Sequence, residues 1–173
     1  MTDSSEVIPI ELLRRIEDAS RRVVTLGCAR GRTVSTAESC TAGMVASSIA
    51  DIPGASAVLR GGAVTYCNEI KHEVLGVSEQ TLAAHTAVSE ATAREMASGS
   101  KALFGSDVAV SLTGYAGPGG GTKTEPAGTV YIATCDSAGL LCERHVFSGS
   151  RNEVRAQAAA RALELVADRL AAL

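Results

Sequence analysis

A chain of 173 residues is long enough for one compact domain with a real core, and its 46% hydrophobic content excludes a disordered polymer. The formal net charge of -3 excludes the basic surface needed to track a nucleic-acid backbone, while one small phosphate-bearing ligand needs only a local pocket of donors. Aromatics make up 3% and tryptophan is absent, so Ala, Val, Leu and Ile must fill much of the interior.

Met1 to Glu6 is polar and acidic, unlike a secretory signal, and residues 1–7 are expected to form a flexible N-terminus. Ile8 to Arg30 carries Leu12, Leu13, Ile16, Val23 and Val24 at helical spacing, with Pro9 in the first turn. Thr33 to Thr36 reads as a short strand, after which Ser39 is expected to open a helix running through Met44 and Val45 to Ile49. Ile52-Pro53-Gly54 stops it. Val58 to Tyr66 is a strand whose Gly61-Gly62 marks a bulge or a close backbone approach. Asn68 can cap a short helix ending at Gly76, and Ser78 and Ser89 can cap two more, the second reaching Phe104. Asp107 to Thr113 is an apolar strand, followed by a glycine-rich loop from Gly114 to Gly128. Thr129 to Cys135 and Leu140 to Phe147 read as a strand pair, and Ser150-Arg151-Asn152-Glu153 as a capping box opening a last helix to about Leu173. Helices alternating with strands, then a late hairpin, predict an α/β fold: a single three-layer α/β/α domain over residues 1–173 with a mixed β-sheet.

The five cysteines are odd in number and form no Cys-x-x-Cys pair, so neither a disulfide framework nor a zinc site is expected, and a reducing cytoplasm fits best. His72, His85 and His145 have no metal-ligand spacing, and no apolar run is long enough for a membrane. Gly117 to Thr124 approaches a Walker A loop but has Thr122 where its second glycine belongs, which rejects an NTPase. Ser98-Gly99-Ser100-Lys101 matches Ser-x-x-Lys but sits inside an Ala-rich helix.

Four segments can carry chemistry. Thr36 to Gly43 lies where a strand feeds a helix, so Ser39 can present a hydroxyl beside backbone N–H donors, as acyl transfer needs. Spacing alone favours Ser39 as an N-cap and Cys40 as a small buried hydrophobe, and describes Glu38 equally as a surface carboxylate. Tyr66 and Lys71 place a phenol at a strand end and an amine one turn into a helix; a desolvated lysine can act as a base, and a solvated Lys71 is the plain alternative. Thr113 to Thr122 follows an apolar strand, beyond whose end ligands gather in open α/β sheets. Arg151 near a helix start can clamp a phosphate, whereas Arg155 reads as an exposed helix residue.

Taken together and in order, Thr36-Ala37-Glu38-Ser39-Cys40-Thr41-Ala42-Gly43, Gly62 to Tyr66, Asn68 to Lys71, Ala87 to Glu90, Thr113 to Pro118 and Pro126 to Val130 resemble the CinA C-terminal domain family. That family's characterised activity is nicotinamide-nucleotide amidase. The resemblance covers Ile8 to the C-terminus. It implies hydrolysis of nicotinamide mononucleotide to nicotinate mononucleotide and ammonia in pyridine-nucleotide salvage, with no metal or other cofactor and a homodimeric assembly. It further implies Ser39 as nucleophile, Tyr66 and Lys71 in proton transfer, and substrate contacts from Glu38, Thr41, Gly43, Thr113, Gly114, Gly117 and Arg151. Backbone N–H groups between Thr41 and Gly43, or at Gly114, are the expected oxyanion donors. The partner is a small nucleotide, with no nucleic acid and no membrane. Three positions depart from the family pattern: Ala42 for glycine, Tyr115 for a small aliphatic residue, and Ser150 for an acid. A binding or regulatory module without chemistry, and a hydrolase using Cys40, are the competing readings.

Overall fold

Five strands build one mixed sheet in the order β2-β1-β3-β4-β5. In the computed structural model, which describes residues 7–173, they are β1 (Val34–Glu38), β2 (Leu59–Val64), β3 (Val108–Gly114), β4 (Thr129–Asp136) and β5 (Gly139–Val146). All of the expected flexible N-terminus except Val7 lies outside the described residues. β1 pairs in parallel with β2 and with β3, while β3–β4 and β4–β5 are antiparallel. The register of β1 on β2 shifts opposite Gly61, where the sequence placed a bulge.

The helices are α1 (Ile10–Arg30), α2 (Met44–Ala50), α3 (Asn68–Leu75), α4 (Glu79–His85), α5 (Glu90–Phe104) and α6 (Arg151–Ala172). One layer holds α6 on β3 and β4, α2 on β1 and β2, and α1 across α6 and α2; the other holds α5 against the sheet with α3 and α4 packed on it. Strand periodicity sorts the side chains between the layers. Val108, Val110, Leu112, Val130 and Ile132 join the cluster under α6, whereas Tyr131 and Ala133 join Ala93 and Ala97 of α5. Lying between the sheet and α1, α6 buries Ala156, Ala158, Ala159, Ala160, Ala162 and Ala167, small side chains that let it pack close on both. The expected three-layer α/β architecture with a mixed sheet is the one observed.

Local chemistry sets most boundaries. Ser78 and Ser89 accept hydrogen bonds from the Thr81 and Thr92 N–H groups, and Ser150 with Glu153 completes a capping box. Two expectations need correction. Ser39 does not open α2: residues 40–43 turn first, Gly43 precedes the helix in a left-handed conformation, and α2 starts at Met44. Asn68 is the first residue of α3 and makes no cap; Cys67 precedes it.

The sequence steps from β1 to β2 on one side and later to β3 on the other. The loops leaving these three parallel strands therefore diverge at one end of the sheet, and a crevice opens there.

Candidate active site

The turn after β1 is held from both sides. Glu38, the last residue of β1, is fully buried and its carboxylate reaches forward to α2. It accepts from the N–H groups of Gly43 (2.9 Å), Val45 (3.1 Å) and Ala46 (2.9 Å). Glu38 thus caps α2 in place of Ser39, and its negative charge sits at the positive end of the helix. Both carboxylate oxygens are engaged, so Glu38 is neither a surface residue nor open to substrate. On the other side Arg155 of α6 donates from Nε to Cys40 O (3.0 Å) and from Nη2 to Thr41 O (2.9 Å). Between these clamps Ala42 is forced to φ 53°, and Gly43 to φ 96°.

The pinned turn presents Ser39, whose N–H donates to Leu112 O of β3 at 3.0 Å. Lys71 reaches it from the first turns of α3: Nζ donates to Ser39 Oγ at 3.1 Å and to Thr65 O at 2.8 Å. Lys71 is 1% exposed and has no carboxylate hydrogen-bonded to it among the described residues. Burial accordingly pushes its pKa down from the ordinary lysine range, against the opposing pull of the Cys67 and Cys40 thiols. The result is a buried serine–lysine pair in which the amine favours its neutral, proton-accepting form more than a surface lysine does. Cys40 is different. Burial pushes its thiol up to about 11, with the Glu38 carboxylate adding to the effect, which keeps it protonated and unreactive at neutral pH.

The remaining candidates separate. Tyr66 makes no hydrogen bond to Lys71 among the described residues; its hydroxyl accepts from Arg151 Nη2 at 2.8 Å, and its ring is exposed. Arg151 also donates from Nη1 to Gly117 O at 3.0 Å. It therefore ties the β2–α3 loop to the glycine loop and forms a rim beside the pair. Thr113 is buried, with its hydroxyl donated to Ala87 O at 2.6 Å, so it supports the site from below. Gly114 ends β3 opposite Val130; a Cβ there would lie 2.5 Å from Thr129 O, so the tight exit of the loop requires glycine. The Thr41 side chain is fully buried and its hydroxyl is unpartnered. Of the expected oxyanion donors, the Gly43 N–H is occupied by Glu38.

The sequence reads Arg155 as an exposed helix residue, whereas it is half-buried and bound to the Ser39 turn. The usable signal was its place four residues after Arg151, which puts both guanidiniums on one face of α6 toward the strand ends. A cavity of about 400 Å³ between α1 and α2 is lined by Ile8, Leu13, Met44 and Ile52 and by none of the candidate site residues. Among the described residues no group of His, Cys, Asp and Glu is placed to hold a metal ion, and no helix is long and apolar enough to cross a membrane.

Fold and site define an α/β protein that carries a serine–lysine pair at the carboxyl ends of its parallel strands. The chain belongs to the CinA family: the model of the CinA C-terminal domain matches residues 16–170. It is 51% identical over 137 residues to the nicotinamide-nucleotide amidohydrolase PncC of Escherichia coli strain K12, covering 79% of this chain and 83% of that protein. It is also 46% identical over 142 residues to a CinA-like protein of Thermotoga maritima, covering 82% of this chain and 35% of the relative. The chain thus spans about a third of the length of several curated relatives. Among solved structures, the competence/damage inducible protein CihA of Agrobacterium tumefaciens superposes with a TM-score of 0.88 at 39% identity, covering 95% of this chain and 98% of that one. A CinA superfamily protein of Escherichia coli superposes with a TM-score of 0.84 at 32% identity, covering 96% and 93%.

Proposed function

We propose that this protein is an amidohydrolase that converts nicotinamide mononucleotide and water to nicotinate mononucleotide and ammonia, with Ser39 as nucleophile. The observation that carries the reading is the buried Lys71 Nζ at 3.1 Å from Ser39 Oγ, in a chain half identical to a nicotinamide-nucleotide amidohydrolase. Neutral Lys71 takes the Ser39 proton as Oγ attacks the carboxamide carbon. The tetrahedral oxyanion collapses, the C–N bond breaks, and the Lys71 ammonium returns its proton to the leaving nitrogen, which departs as ammonia. Water then attacks the ester, with Lys71 again as base, and frees the carboxylate and Ser39. The reaction involves no net oxidation or reduction and balances with water alone, so it calls for no redox cofactor.

Tyr66 belongs to the rim in this scheme and not to the proton path, because its hydroxyl is held by Arg151. Arg151 retains N–H groups beyond the two used on Tyr66 and Gly117, and these can meet the ribose phosphate beside the glycine loop. Work in pyridine-nucleotide salvage, a cytoplasmic location and a homodimer complete the proposal.

Ammonia release from nicotinamide mononucleotide by wild type and Ser39→Ala, with a chelator present, tests it. Release by wild type alone is expected. Equal release by a folded Ser39→Ala protein refutes the serine mechanism, and no release by wild type leaves a nucleotide-binding module as the better description.

A further inference from the structure

Accounting for the N–H groups of the Ser39 turn singles out two of them. The Ser39 N–H is bound to Leu112 O, Ala42 N–H to Ser39 O (3.1 Å), Gly43 N–H to Glu38, and Met44 N–H to Thr41 O (3.3 Å). Among the described residues the Cys40 N–H meets nothing beyond its own thiol, a weak acceptor, and the Thr41 N–H meets nothing.

The directions of these two N–H groups are fixed by what their peptide partners bind. A trans peptide unit is planar, and its C=O and N–H point opposite ways. The Cys40 N–H shares a plane with Ser39 C=O, which the turn locks onto Ala42 N–H. The Thr41 N–H shares a plane with Cys40 C=O, which Arg155 Nε holds at 3.0 Å. By drawing that carbonyl toward α6, Arg155 turns the Thr41 N–H away from α6. The charged donor also polarises the peptide unit, which strengthens the N–H at its other end. Nη2 on Thr41 O, at 2.9 Å, stops the turn from rotating about its middle.

We infer that the Cys40 and Thr41 N–H groups are the oxyanion donors of this site, and that Arg155 is the positioning residue that aims them. The inference rests on the serine-nucleophile reading above. Arg155 touches neither substrate nor Ser39 in it; it acts through the backbone.

The test compares wild type, Arg155→Met and Arg155→Lys in the purified full chain. It measures ammonia-release kcat and KM across pH, melting temperature, and affinity for pyridine-3-boronic acid, whose serine adduct places a tetrahedral oxyanion in the turn. Arg155→Met is expected to lower kcat about 10- to 100-fold, with KM and the Lys71-controlled pH limb unmoved. Boronic acid affinity should fall with kcat. Arg155→Lys, with one ammonium for two carbonyls, should fall between. A structural role alone would lower melting temperature without separating kcat from KM. A folded Arg155→Met with kcat within twofold of wild type overturns the inference, as does a loss carried by KM. If Arg155→Met does not fold, Arg155→Lys decides: unchanged kcat and boronic acid affinity overturn it. If wild type releases no ammonia, the amidase reading fails, and the boronic acid ratio alone judges Arg155.

Discussion

Gly99 of α5 offers a way to move Lys71, the proposed base, without touching it. A Cβ at Gly99 would lie 1.9 Å from Leu75 O and 2.7 Å from Leu75 C, the last residue of α3. Carbon and oxygen rest at roughly 3.3 Å or more, so Gly99→Ala must part the two helices by about 1.4 Å. The obstructing atoms are backbone, and no rotamer relieves them. Lys71 sits one turn before Leu75 on α3, and if the shift is transmitted its 3.1 Å contact with Ser39 opens beyond hydrogen-bond range. A misplacement near 1 Å costs on the order of 100-fold in rate, so kcat/KM should fall by about one to two decades. Stability is the blunter readout: overpacking costs about 1–3 kcal/mol, and the helix gains back roughly 1 kcal/mol when alanine replaces glycine. The assay is ammonia release far below the melting transition, with urea unfolding alongside. A folded Gly99→Ala enzyme at the wild-type rate would show that α3 is not what places Lys71.

Five further outcomes are expected. Lys71→Met should abolish amidase activity yet raise stability near neutral pH. The folded-state pKa of Lys71 is lowered, so the unfolded chain binds more protons between that pKa and the ordinary lysine value; the wild type therefore gains stability with rising pH across that window, and loss of this slope in the variant checks the sign. The wild-type rate should climb as pH rises through that lowered folded-state pKa, where the neutral amine becomes populated, and level off above it. Glu38→Ala leaves three N–H groups at the start of α2 without their acceptor and should cost about 3 kcal/mol or more in urea unfolding. Ala42→Gly relieves a left-handed residue at φ 53° and should stabilise by about 0.5–1 kcal/mol, seen as a small rise in melting temperature. Iodoacetamide at neutral pH should label exposed Cys28 and Cys67 and spare Cys40, whose thiol is pushed up to about 11; rapid labelling of Cys40 in mass spectrometry would revive the cysteine-hydrolase reading.

What the sequence made legible was local. The serine caps at 78, 89 and 150 work within three residues, and β3, β4 and β5 announce themselves by apolar runs and a tight connection. The cap on α2 was missed because the acceptor sits on β1, five residues before the first N–H it takes, outside the usual N-cap spacing. Ser39 and Lys71 lie 32 residues apart, Tyr66 and Arg151 85, and Thr41 and Arg155 114. Sheet topology brings such pairs together, and no spacing rule encodes them. The resemblance joins Tyr66 and Lys71, close in sequence, in proton transfer, but the strand end and the helix turn them to different partners.

The buried alanines of α6 determine which mutations this chain can absorb. An interior made of large residues fails by losing atoms, and its damage is a cavity. Here Ala156, Ala158, Ala159, Ala160 and Ala162 are all fully enclosed, and truncation has only glycine to offer. Their vulnerability runs the other way: each added methyl must push α6 away from β3 and β4 or from α1. That helix carries Arg151 and Arg155 in its first two turns, so a side chain made too large deep in the interior reaches the reacting end as a loosened hold on the Ser39 turn. Inactivating changes far from the crevice should therefore be enriched in gains of volume.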